Sequence, residues 1–120
     1  MSSITFAASP PGLHPLTEFR LEAIEGAAGL YALRAEAAPA VRLYAVDARH
    51  YVAGYEPDLP AAELAGLGAE SVADVLLLVV VTPADDGPTV NLAAPVIVGP
   101  ESGRAAQVIL DGDWPIASPL

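Results

Sequence analysis

The sequence contains no cysteine and no lysine, and only two histidines, one tryptophan and one methionine. Without cysteine there is no disulfide framework, no thiolate-bound zinc and no thiol nucleophile. Without lysine or a glycine-rich phosphate loop, phosphoryl transfer loses its usual cation and cradle. Basic charge is equally scarce: five Arg face fifteen Asp and Glu, a net charge of −10 over 120 residues. A surface this acidic repels phosphate, which argues against direct binding of nucleic acid or an anionic membrane and in favour of a basic partner. The longest run of bulky apolar residues, Val75 to Val81, is far shorter than the roughly 18 residues that span a bilayer. The N-terminus carries neither a basic region nor an apolar stretch before Pro10, so no signal peptide is expected and a cytoplasmic location is.

What is abundant points to a globular β-rich domain. Hydrophobic residues make up 53% of the chain, too many for a disordered acidic tail. Twelve Pro and ten Gly punctuate it about every ten residues, the pattern of short strands joined by turns. Phe19-Arg20-Leu21-Glu22-Ala23 alternates apolar and charged residues, as a half-buried strand does. Short strands are expected over residues 30–33, 41–46 and 50–55, the last with a bulge or close approach at Gly54. Asp58 to Gly66 is expected to be the one short helix, with Asp58 capping its free N–H groups, Pro60 in the first turn, and Leu64 with Leu67 on the buried edge. Ser71 to Asp74 has capping-box spacing and is given one helical turn at most. Residues 75–82, 89–98 and 104–110 then read as a three-strand meander, with Pro95 marking an edge or bulge. The resulting expectation is an all-β, antiparallel, barrel-like single domain.

No catalytic constellation emerges. His14 lies in a turn, and His50 and Asp47 would sit on opposite faces of a strand. Asp85/Asp86 and Asp111/Asp113 lie beside Gly or Pro and read as solvated turns rather than a carboxylate dyad or a calcium site. Gly66-Leu67-Gly68 lacks the third glycine of a dinucleotide loop. Neither enzymatic activity nor a cofactor or metal site is expected. Charge, by contrast, is polarised: residues 1–55 hold five acids and four Arg, whereas residues 56–120 hold ten acids and only Arg104. The second half, at net −9, is where a basic partner would be drawn.

The order of several short motifs resembles the flagellar assembly factor FliW family. They are Ile4-Thr5-Phe6, Pro11-Gly12, Tyr55-Glu56-Pro57-Asp58-Leu59, Asp74-Val75, Asn91-Leu92-Ala93-Ala94-Pro95, Gln107-Val108-Ile109-Leu110 and the closing Pro119-Leu120. The resemblance covers nearly the whole chain, as one FliW-like domain over residues 1–120. It implies a non-enzymatic β-barrel-like protein that binds and antagonises the translational regulator CsrA and also binds flagellin, coupling flagellin synthesis to flagellum assembly. The alternative is a flagellin-binding chaperone without CsrA antagonism. Departures from the family are Ala7-Ala8 in place of acids, Asp47-Ala48 in place of Asn-Pro, and Ser118 in place of His. Only three residues precede Ile4, where the family has further strand residues, so an open strand edge and self-association are expected. In the 75–81 strand only one set of alternate residues can face the barrel interior. The other is covered by the 58–66 helix or left open for flagellin, with Glu56, Asp58, Glu63 and Asp74 as an acidic rim for CsrA.

Overall fold

The structure, a computed structural model, describes residues 2–120. Among the described residues there are nine strands: β1 (Ser2–Phe6), β2 (Glu18–Ala23), β3 (Leu30–Ala35), β4 (Arg42–Asp47), β5 (Leu76–Thr82), β6 (Thr89–Val90), β7 (Val96–Val98), β8 (Arg104–Gln107) and β9 (Ser118–Pro119). Pairing runs β4-β3-β2-β1-β8-β7-β5, and β5 pairs back onto β4, so seven strands close into a barrel. β6 pairs with the far end of β5 and carries β9 as a flap. All ring pairings are antiparallel except one: β1 runs parallel to β8, with Thr5 opposite Arg104 and Phe6 opposite Ala105. Because β1 is paired on both sides, the ring lacks the open edge expected from the short N-terminus. The reason for self-association falls with it.

Alternation decides which side chains fill the barrel. Phe19 and Leu21 point inward while Glu18 and Arg20 face solvent, as the sequence pattern requires. Every ring strand contributes to one interior cluster, which includes Ile4, Phe6, Leu33, Ala45, Leu78, Val96 and Ala105. Phe6 and Phe19 meet edge-to-face with ring centroids 5.5 Å apart, clamping β1 to β2. A second cluster lies on the outer face of β5 and β7, where Leu77, Val79 and Ile97 pack against Tyr55, Leu59, Leu64 and Leu67. Both faces of β5 are therefore buried, and the covered alternative holds.

Helical structure is more extensive than one helix. Residues 50–55, expected as a strand, are instead the end of a four-residue helix, α1 (Ala48–Tyr51), followed by a turn. The cause is local. Asp47, at the end of β4, accepts the Arg49 N–H at 3.0 Å and so caps a helical turn where the strand would continue. His50 then stacks beside Tyr51, with centroids 4.9 Å apart, rather than facing away from Asp47 on a strand. Gly29 makes room for this turn: its φ is +83°, and a Cβ there would lie 2.9 Å from the Tyr51 ring. Gly54, with φ of +74° and open space beside it, shapes the following turn and is not a close approach.

The second helix, α2 (Ala61–Gly66), starts later than expected. Pro60 occupies the N-cap position and no side chain caps the helix, so Asp58 lies outside it and does not accept from its N–H groups. Leu64 and Leu67 do form the buried edge. A 3-10 turn (Val72–Asp74) follows, with the Asp74 carboxylate accepting from the Ser71 and Glu70 N–H groups at 3.2 Å each. The expected 89–98 strand is divided. Pro95 and the 91–95 bend separate β6 from β7, and both remain antiparallel partners of β5.

Candidate protein-interaction surface

The arginines show how the acidic charge is left. Arg20 lies 3.9 Å from Glu36 and Arg34 lies 3.5 Å from Glu22, both in the first half of the chain. The Arg42 guanidinium sits 5.1 Å from the centroid of the Tyr44 ring. Arg49 reaches across from α1 and donates to the carbonyls of Val72, the first residue of the 3-10 turn, and Val75, the residue that follows it. Arg104 donates to the Gly66 carbonyl, the last of α2, at 3.1 Å. Arg104 serves the C-terminal end of α2, where the last carbonyls lack intrahelical partners and partial negative charge accumulates. Arg49 instead ties α1 to the 3-10 turn and shares the Val72 carbonyl with the Val75 N–H. Each arginine thus has a partner within the chain, only two of them carboxylates, and the ten carboxylates of residues 56–120 are exposed with Arg104 as the sole arginine of that half.

Glu56, Asp58, Glu63 and Asp74 are all exposed, but no single cavity gathers them. Glu56 borders a cleft of about 520 Å3 walled by Arg49, Val52, Tyr55, Val72 and Leu77. Glu63 stands at the lip of a smaller slot of about 230 Å3 between α2 and the β1–β8 seam. Asp74 shares an open cleft of about 710 Å3 with Glu70 and Glu101. Asp58 borders none of these three. Sequence reasoning overlooked Glu70 and Glu101 beside Asp74. Glu101 comes from the β7–β8 turn, which Ser102 ties to α2 by donating to the Leu67 carbonyl at 2.8 Å. No spacing in the sequence signals a contact across 35 residues.

Tyr55 anchors the wall of the first cleft. Its hydroxyl donates to the Leu92 carbonyl at 2.7 Å, and its ring meets Trp114 edge-to-face at 5.3 Å. Burial pushes the phenol up to about 12, because the phenolate would have to exist without water. Among the described residues there is no group of three or more His, Asp or Glu able to hold a metal ion. None of the described helices is long and apolar enough to cross a membrane.

These features define a small closed β-barrel with a helical lid over one outer face and an acidic, cleft-bearing surface. Comparison with known proteins places the barrel more narrowly. A sequence profile of the FliW protein matches residues 1–120, and the chain belongs to that family. It is 42% identical over 69 residues to the flagellar assembly factor FliW of Symbiobacterium thermophilum, a match covering 55% of this chain and 50% of that protein. It is 34% identical over 105 residues to the FliW of Moorella thermoacetica, covering 85% of this chain and 66% of the relative. The chain thus matches only half to two thirds of the length of these relatives. A crystal structure of the flagellar assembly factor FliW superimposes with a TM-score of 0.88 at 27% identity, covering 98% of this chain and 84% of the other.

Proposed function

We propose that this chain is one FliW-like domain acting in flagellar assembly as a non-enzymatic, cytoplasmic binding protein, one that sequesters the translational regulator CsrA and also binds flagellin. The family assignment supports the flagellar role. The observation that carries the partner chemistry is the charge of residues 56–120, ten exposed carboxylates against Arg104 alone, with both arginine–carboxylate ion pairs among the described residues lying in the first half of the chain. An RNA-binding regulator is basic where it meets phosphate, so such a surface attracts it and repels its RNA. Glu56, Asp58 and Glu63 are the proposed contact carboxylates. Asp74 contributes charge while holding the 3-10 turn. Flagellin is assigned no face of β5, since both are buried.

The test measures association of the purified chain with purified CsrA and, separately, purified flagellin. CsrA should associate several-fold faster at about 50 mM salt than at about 500 mM, because screening shortens the reach of the acidic field. Reversal of Glu56 and Asp58 to Lys should weaken CsrA binding and spare flagellin. Equal rates at both salts remove charge from the proposal. Binding of flagellin alone leaves the chaperone alternative in its place.

A further inference from the structure

We infer that the slot between α2 and the β1–β8 seam is a docking site for one aliphatic side chain of a separate protein, with a basic residue next to that side chain held by Glu63. The slot arises from topology. β1 and β8 are bridged only at Thr5–Arg104 and Phe6–Ala105, and beyond that pair the two strands part. Ala7, just past β1, and Ala106 on β8 flank the opening, and Gly66 with Leu67 at the α2 C-terminus closes the other side. Three of these four residues carry a methyl group or none, so the protein's own side chains cannot fill the gap.

Its size sets the class of occupant. At about 230 Å3 it falls below the roughly 300 Å3 at which small-molecule and cofactor pockets begin, and it suits a single side chain. Protein interfaces concentrate their binding energy in such pockets, where a buried anchor is desolvated beside a polar rim. The rim here carries two charges. Arg104 is held by the Gly66 carbonyl. Glu63 makes no salt bridge or side-chain hydrogen bond among the described residues. Arg104 keeps its full positive charge but is turned to the Gly66 carbonyl, whereas Glu63 is left without a partner among the described residues. With a net charge of −10 on the chain, the wider field favours a cation beside Glu63, which is why the occupant is apolar-then-basic and not apolar-then-acidic.

This inference rests on the reading that the acidic surface receives a basic protein, but its test does not need that protein. The isotope-labelled full chain is titrated with three blocked tripeptides, Gly-Leu-Arg, Gly-Ser-Arg and Gly-Leu-Glu, while backbone amide signals are followed by NMR. Gly-Leu-Arg should move the Ala7, Gly66 and Ala106 signals and bind about ten-fold more tightly than either of the others. Glu63→Gln should reduce it to the level of Gly-Leu-Glu. Ala7→Leu, which fills the slot from an exposed position, should abolish the response. If that variant melts early, Glu63→Gln, a surface change, carries the test alone. No movement at the three signals, or equal binding of Gly-Leu-Glu, overturns the inference. Should the peptides fail while CsrA association persists, the slot alone is lost; should the peptides bind while CsrA and flagellin do not, the slot stands and the partner assignment falls.

Discussion

Tyr55 concentrates several demands on one side chain: a buried hydroxyl bonded to the Leu92 carbonyl, a ring set against Trp114, and a wall of the Arg49 cleft. Its phenol is raised from 10.0 to about 12 by burial, so folding favours the neutral form. The associated stability is fully present below pH 10, the unfolded value, and is lost as pH rises through about 12. Chemical denaturation of the native chain should show that loss, and Tyr55→Phe should flatten the profile between those pH values. At neutral pH the same variant should be less stable by about 1–2 kcal/mol, since the Leu92 carbonyl loses a buried partner. Two acids expected to act alike separate at this scale. Asp58 caps nothing, so Asp58→Lys should change stability by no more than about 0.5 kcal/mol. Asp74→Ala removes the carboxylate that accepts from two backbone N–H groups and should cost about 1 kcal/mol by thermal melting. The capping spacing Ser71 to Asp74 was legible in sequence because it is local. The contact from Ser102 to Leu67, which brings Glu101 beside Asp74, was not.

At the scale of elements, strands whose chemistry is periodic were readable and those decided by one capping contact were not. β2 alternates, and β5 is Val-rich and closed by Pro83, so both lie where the pattern put them. Residues 50–55 carry aromatic and β-branched side chains suited to a strand, but the Asp47 carboxylate outweighs that preference by supplying a helix cap at the end of β4. The α2 lid depends on Leu64, which is buried against the outer face of β5 and β7. Leu64→Ala should cost about 2–4 kcal/mol in denaturant unfolding and raise binding of an apolar dye as Leu77 and Val79 lose cover. Gly99 holds the same lid from below: a Cβ there would fall 2.6 Å from both the Leu67 carbonyl oxygen and the Ser102 Oγ. Gly99→Ala should therefore destabilise by at least about 1 kcal/mol, measured by the same unfolding curve.

The whole molecule joins a β-meander of sequence-adjacent strands to a seam of a different kind. β2, β3 and β4 pair with sequence neighbours, whereas the ring closes by setting Thr5 against Arg104. Closing that loop of about 100 residues costs roughly 3 kcal/mol more chain entropy than closing a five-residue hairpin. Nascent chain emerging from a ribosome therefore has its first strand in hand long before the strand it must lie beside exists. Hairpins β2–β3 and β3–β4 are therefore expected to form the nucleus, with the β1–β8 seam closing after them. Kinetically, Ile4→Val should leave the refolding rate almost unchanged and speed unfolding, while Leu33→Ala should slow refolding. The reverse pattern in stopped-flow refolding would show that the barrel closes first and fills afterwards.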